Sequence, residues 1–373
     1  MEVIAAASRR QGSHGDMLSL SAGQPSTPAP RPVLAAARDM LDREILGYTP
    51  TPGIPELRRR VAALHTDRYG YEVDPASVVI TTGSSGAFTA LFLAAFDPGD
   101  VVALARPGYP AYRNALAALG CEVAEFDPAD RVRFQPSVAD LERLTAETGA
   151  PPAGLVIASP ANPSGAIIDA GELADIAAWC EAHGTLLVSD EIYHGISFGR
   201  RCASAWEFSR NAAVIGSFSK YFSMTGWRIG WMLVPDDLAE AVDTLLGNLN
   251  ICAPANSQFA ALKALGPEAA RELDGHVERY AANRDLVLGR LDELRLPLVA
   301  EPDGAFYAYV DASAYTSDSL SWCREVLDAT GVALTPGVDF DSRDGGSTVR
   351  ISFAGAGGDI AAALDRLAAH FAR

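Results

Sequence analysis

From about residue 75 onward, short apolar runs alternate with longer amphipathic stretches, and the alternation predicts the elements one by one. VVIT at 78–81 has the length and β-branched content of a strand, and a helix follows from Ser84 to Phe96. VVALA at 101–105 predicts the next strand, and PAYRNALAALG at 110–120 a helix closed by glycine. LVIAS at 155–159 is again strand-like. The following helix opens at Asp169, carries Glu172 three residues on as a capping-box partner, and runs to His183 before Gly184. LLVSD (186–190), AVIGS (213–217) and IGWMLV (229–234) read as fully buried strands.

Near-continuous apolar strands alternating with helices imply a mostly parallel sheet covered on both faces. Ligands of such sheets sit beyond the carboxyl ends of the strands, so polar clusters should recur just after the apolar runs. They do: TTGSSG, SPANPSG, SDEIY and SFSK each follow or end a strand, and together predict one functional rim. After about residue 285 the texture becomes α+β, with DGAFYAYV and STVRISFA as strands and two late helices. We therefore expect a large domain over residues 30–285 and a small one from 1–29 and 286–373.

Composition narrows the picture. With 373 residues, 49% of them hydrophobic, the chain can bury a core of this size. A formal charge of −17 argues against a nucleic-acid partner. The five cysteines are odd in number and form no CxxC pair, as scattered reduced thiols would be, and the six histidines show no metal-ligand spacing. Neither the N-terminus nor the uncharged stretch Val78–Phe96 reads as a signal or a membrane span, since TTGSSG interrupts the latter. The expected location is the cytoplasm.

One residue type carries more. Of 30 basic residues only Lys220 and Lys263 are lysine. Lysine, unlike arginine, can lose its proton and attack a carbonyl. Ser217-x-x-Lys220 matches the SxxK of serine acyl-transfer enzymes, but SDN and KTG elements do not accompany it. The other reading is a Schiff-base lysine for pyridoxal 5′-phosphate (PLP), which calls for an acidic partner and an anion site. Asp190 at the end of LLVSD is a candidate partner. Ser84 and Ser85 at a helix start, with Arg228, are candidates for the phosphate.

Taken together, SFSKYFSMTGWRIG, LSAGQPSTPAP, GYTPTPGIPELR, TTGSSGAF, PGYPAY, SPANPSG, SDEIY, DGAFY and VRISFA resemble, over essentially the whole chain, the class I/II aminotransferases, PLP enzymes of fold type I. Asn162 lies 28 residues before Asp190, Tyr193 three after it, and Arg228 eight after Lys220, as that family spaces them. The resemblance implies an α/β fold with a mostly parallel seven-stranded sheet. It implies that Lys220 is the Schiff-base lysine and moves the substrate proton, that Asp190 keeps the pyridine nitrogen protonated, and that Tyr193 and Asn162 bond the phenolic oxygen. Ser84, Ser85, Ser217 and Arg228 would hold the phosphate, and Tyr48 would reach it from the second subunit of a homodimer. Tyr109 would stack on the ring. Arg350 would clamp the substrate α-carboxylate, assisted by Asn162 and the Gly23 backbone.

The implied reaction is transfer of an amino group from an L-amino acid to a 2-oxo acid. A dicarboxylate donor needs a second cation, and no basic residue stands beside GYTPTP before Arg58 or within TTGSSGAF. The expected donor is therefore neutral and aliphatic, such as alanine or valine; the alternatives are aspartate as donor or a PLP-dependent lyase. A regulator with an aminotransferase-like domain behind a DNA-binding module is disfavoured, since about 20 residues precede LSAGQP and the chain is acidic.

Overall fold

The computed structural model describes residues 2–43, 45–129 and 133–372. Seven strands form one sheet in the order 78–81, 230–233, 213–217, 186–190, 154–158, 101–105, 122–126. Strand Gly230–Leu233 runs antiparallel to both neighbours, and the pairings from 213–217 across to 122–126 are parallel. The mostly parallel seven-stranded sheet is thus present. Its outer strand Glu122–Phe126, EVAEF, was not picked out by the apolar runs, because its glutamates make it an edge rather than a buried core strand.

Alternate side chains of these strands feed two separate cores. Ile80, Ala103, Leu155, Ile157, Leu187 and Val214 point to one face, against Leu57 and Val61 of helix Pro55–Tyr69 and Ile176 of helix Ala170–His183. Val79, Val102, Leu104, Val156, Val188, Ile215 and Met232 point to the other, against Ala87 and Leu91 of helix Gly83–Ala95. The period-2 alternation of a strand makes this two-sided burial possible. The capping box is realised: the Glu172 carboxylate accepts the Asp169 N–H at 3.3 Å.

A third core gathers Val3, Leu20, Tyr307, Val310, Ile351, Leu364 and their neighbours. Around it lies an antiparallel sheet in the order 335–336, 348–352, 307–311, 298–300, and Leu18–Ser19 pairs in parallel with Val332–Ala333. Helix Pro267–Leu288 joins the parts: Leu273 packs in the first core, Tyr280 and Val287 in the third. No helix among the described residues is long and apolar enough to cross a membrane.

Candidate active site

Because the parallel strands share a direction, their carboxyl ends share an edge, and the residues just past them meet there. A cavity of about 840 Å³ is lined by Ser84 and Ser85 after strand 78–81, Tyr109 after 101–105, Asn162 after 154–158, Asp190 at the end of 186–190 and Tyr193 beyond it, and Ser219 and Lys220 after 213–217. The smaller antiparallel sheet contributes Tyr307, Thr335 and Arg350 from across the cavity, Phe340 follows the turn Gly337–Asp339, and the N-terminal segment adds Gly23.

Lys220 donates from Nζ to the Gly23 carbonyl at 2.6 Å. Burial, with Arg350 and Arg228 nearby, lowers its amine to about 8, although Asp190 pulls the other way. Such an amine has a substantial neutral, nucleophilic fraction near neutral pH. Asp190 is buried, and burial raises its carboxyl to about 6. It stays that low because Tyr112 donates its hydroxyl to Oδ2 and the Ile192 N–H bonds Oδ1 at 3.1 Å.

Arg350 is 6% exposed. Its Nη1 donates to Asn162 Oδ1 at 2.7 Å and its Nη2 to the Ser21 carbonyl at 2.9 Å, with Thr335 Oγ1 at 3.3 Å. Tyr307 and Phe340 lie with ring centroids 4.1 and 4.8 Å from the guanidinium carbon. Its Nε is buried with no acceptor, and no carboxylate among the described residues pairs with it. A buried guanidinium surrounded by neutral groups is poised for an anion brought in by a ligand.

A second anion cradle lies at the start of helix Gly83–Ala95. Thr82 makes no side-chain cap there, so the first-turn N–H groups of a helix carrying Ser84 and Ser85 remain available. Arg228, in the left-handed conformation at φ 51°, lies so close that a Cβ on Gly83 would sit 2.4 Å from its Nη2. Gly83 itself has φ +69°, and no bulkier residue leaves room for the guanidinium at that helix end. Two anion sites flanking a perturbed lysine and a buried carboxylate are the donor set that a phosphorylated pyridine aldehyde and a carboxylate substrate require. The residues present fit PLP.

Ser217 is buried and accepts the Ser219 N–H at 3.0 Å; Ser219 lines the cavity beside Lys220. Tyr193 bonds the Tyr307 hydroxyl at 2.7 Å. Tyr109 lines the cavity edge-on to Tyr112, with centroids 5.4 Å apart. Tyr48 lies outside this cavity and is 82% exposed. Tyr112, Ser219, Tyr307, Thr335 and Phe340 were not singled out from the sequence. Tyr307 lies within DGAFY and Tyr112 three residues after Tyr109, one helical turn on, which was the available signal.

Comparison with known proteins agrees with this geometry. Residues 15–368 match the profile of the family described as aminotransferase class I and II. The valine–pyruvate aminotransferase of Mycobacterium tuberculosis is 53% identical over 369 residues, covering 98% of this chain and 94% of the relative. An aminotransferase crystal structure from the same organism superposes with a TM-score of 0.95 at 52% identity, covering 100% of this chain and 96% of that one. The aspartate aminotransferase of Thermotoga maritima is more distant, 31% identical over 94% of this chain and 90% of its own.

Proposed function

This chain belongs to the class I and II aminotransferases, a PLP-dependent family, and from that premise we propose that its donor is a neutral aliphatic L-amino acid such as valine or alanine and its acceptor a 2-oxo acid such as pyruvate. The observation that carries the reading is the cavity around Arg350, a buried guanidinium whose Nε has no partner, which is lined largely by apolar side chains. Val3, Leu320, Val338 and Phe340 are among them. A dicarboxylate donor would need a second cation. Arg113 also lines the cavity, but its guanidinium is bonded to Glu125 at 3.0 Å, and Arg228 belongs to the helix-end cradle. The name of the Mycobacterium tuberculosis relative supports the same donor class.

When bound, PLP supplies the aldehyde that takes up the amino group and the ring that delocalises the electrons left on the α-carbon. The rest is the work of the chain. Lys220, as the Schiff-base lysine, would hold the aldehyde, and its amine is the group placed to move the proton at the substrate α-carbon. Asp190, oriented by the Tyr112 hydroxyl, would hold the ring-nitrogen proton with its carboxylate. Tyr193 and Asn162 would bond the phenolic oxygen, and Tyr109 would cover the ring. Ser84, Ser85, Ser217 and Arg228 would hold the phosphate. Arg350 orients the α-carboxylate, with Asn162 and the Gly23 backbone beside it.

We further assign a homodimer in which Tyr48 reaches the neighbouring phosphate. Leu41, Ile45, Leu46, Tyr48, Leu249 and Ile251 are exposed apolar side chains, which a second subunit would cover. We place the division into a large domain at 30–285 and a small one at 1–29 and 286–373, in keeping with the separate third core. Five unpaired cysteines suit the reducing cytoplasm. Mixing the PLP-loaded protein with single amino acids tests the donor: valine or alanine should rapidly bleach the cofactor absorbance, and bleaching by aspartate alone would refute the assignment.

A further inference from the structure

Three residues before Tyr109, Arg106 is buried to 2% exposure of its side chain and meets Asp341, also buried at 6%, with Nη1 to Oδ1 at 2.6 Å. Its Nη2 meets Asp127 at 2.6 Å. Two residues on, the Gly108 N–H donates to the Phe340 carbonyl at 3.0 Å. Arg106 follows a strand of the seven-stranded sheet, whereas Phe340 and Asp341 follow the turn Gly337–Asp339, which packs with the smaller sheet. The two parts are also tied through residues 303–305, where Gly304 donates to Gly165 at 2.9 Å and Ala305 to Ile196 at 3.1 Å, and by the Arg350–Asn162 and Tyr193–Tyr307 bonds inside the cavity. The Arg106 contacts are a separate tie, and the cavity is lined by residues adjoining both.

We propose that the Arg106–Asp341 pair is a latch that fixes Phe340 against the Arg350 guanidinium, making Arg106 and Asp341 positioning residues for the substrate α-carboxylate. The inference rests on the reading of Arg350 as the carboxylate clamp. Asp341 cannot shift alone. Its Oδ1 also accepts the Arg343 and Asp344 N–H groups at 3.0 and 3.1 Å, and its own N–H donates to Gly337 at 2.9 Å. Gly337 is wedged in turn: a Cβ there would lie 2.0 Å from Thr348 Oγ1 and 2.6 Å from the Gly345 carbonyl. Thr348 begins the strand that carries Arg350. The turn is therefore held between that strand on one side and Arg106 on the other, and Phe340 between them is 3% exposed.

A buried ion pair is a poor source of net stability, because desolvation of both charges offsets their attraction, and a well-packed apolar pair is often as stable. What it does supply is a fixed geometry: Asp127 holds one arm of the Arg106 fork beside its own sheet, and the other arm meets Asp341 at 2.6 Å and Asp344 at 3.6 Å, so the guanidinium sets where the turn can sit. Small displacements of a binding group have large kinetic effects.

The test uses PLP-loaded protein carrying Arg106→Lys, Asp341→Asn, or the paired change Arg106→Met with Asp341→Leu. The apolar pair leaves no buried charge facing a lost partner but also gives up the Arg343 and Asp344 N–H bonds of Asp341, whereas Arg106→Lys keeps those bonds and the charge, lacks only the fork, and should be intermediate. We expect KM for valine and for pyruvate to rise about tenfold, a change corresponding to about 1.4 kcal/mol, with kcat falling less than about threefold. The dissociation constant of isovalerate, a non-reacting carboxylate, measured by calorimetry, should rise in parallel, while PLP content stays near wild type; Asp341→Asn, which leaves the buried Arg106 with one charged partner fewer, should also melt at a lower temperature. Unchanged KM values and isovalerate affinity in the folded apolar pair overturn the latch. So does a loss carried by kcat and PLP retention instead. A wild-type protein that accepts no amino-acid donor overturns the functional reading itself, and with it the latch, irrespective of the variants.

Discussion

Replacing Tyr112 by phenylalanine removes one hydroxyl from beneath the proposed ring-nitrogen partner and little else. The ring would keep its contacts with Phe88 and Tyr109, at centroid distances of 5.0 and 5.4 Å. The lost bond is to a carboxylate in a buried site, worth about 1.5–3 kcal/mol. At 1.36 kcal/mol per unit this raises the Asp190 carboxyl by about one to two units, from about 6 to about 7 or 8. The sign follows from which form the hydroxyl stabilises: Tyr112 donates to the charged carboxylate, so its loss favours the protonated acid. A protonated Asp190 cannot balance the positive ring nitrogen, so PLP affinity should fall as pH drops through the carboxyl pKa of the free protein. Fluorescence titration of PLP from pH 5.5 to 9 reads this directly. Taking the variant against wild type cancels the titration of the phosphate and of Lys220. From the shifted pKa, binding by the variant should be weaker by about 3- to 25-fold at pH 6.5 and by less than about twofold at pH 9. A ratio that does not change with pH would refute the reasoning, since it would mean that the hydroxyl fixes shape rather than charge.

Lys220→Arg should abolish both the reaction and sodium-borohydride trapping of PLP, whereas Lys263→Arg, at an exposed helix position, should leave kcat/KM within about twofold; equal trapping in the two variants would exclude Lys220 as the Schiff-base lysine. In the ligand-free protein, reaction of Lys220 with a simple aldehyde should rise through about pH 8. Arg350→Gln should move that midpoint upward, because removing a neighbouring cation favours the charged amine. Arg350→Lys should raise KM for amino and oxo acids by about 10- to 100-fold through loss of the bidentate fork, with PLP absorbance unchanged. Leu57→Ala, at a fully buried position in the first core, should lower stability by about 2–5 kcal/mol without altering PLP affinity, as chemical denaturation would show.

Much of this protein is legible before any fold is known. The apolar runs at 78–81, 101–105, 155–159, 186–190, 213–217 and 229–234 correspond to strands because buried parallel strands must be apolar on both faces. The polar clusters after them meet because parallel strands end on one edge. Lys220 and Asp190, singled out by residue type and spacing, line one cavity because the strands that lead to them are neighbours in the sheet. The edge strand 122–126 escaped the pattern because an edge does not require an apolar face on both sides.

What only the tertiary structure decided is contact at long range. Tyr112 reaches Asp190 across 78 residues, and Tyr307 reaches Tyr193 across 114. The Ser21 and Gly23 carbonyls that receive Arg350 and Lys220 are backbone atoms, which leave no mark in residue identity. Arg106 looked like any arginine of an arginine-rich chain until folding buried it against Asp341, 235 positions away. Local pattern determines which segments become strands and helices, because periodicity and propensity act within a few residues. Which side chains share a cavity, and how far burial displaces their proton affinities, depends on the packing of segments that the chain does not place side by side.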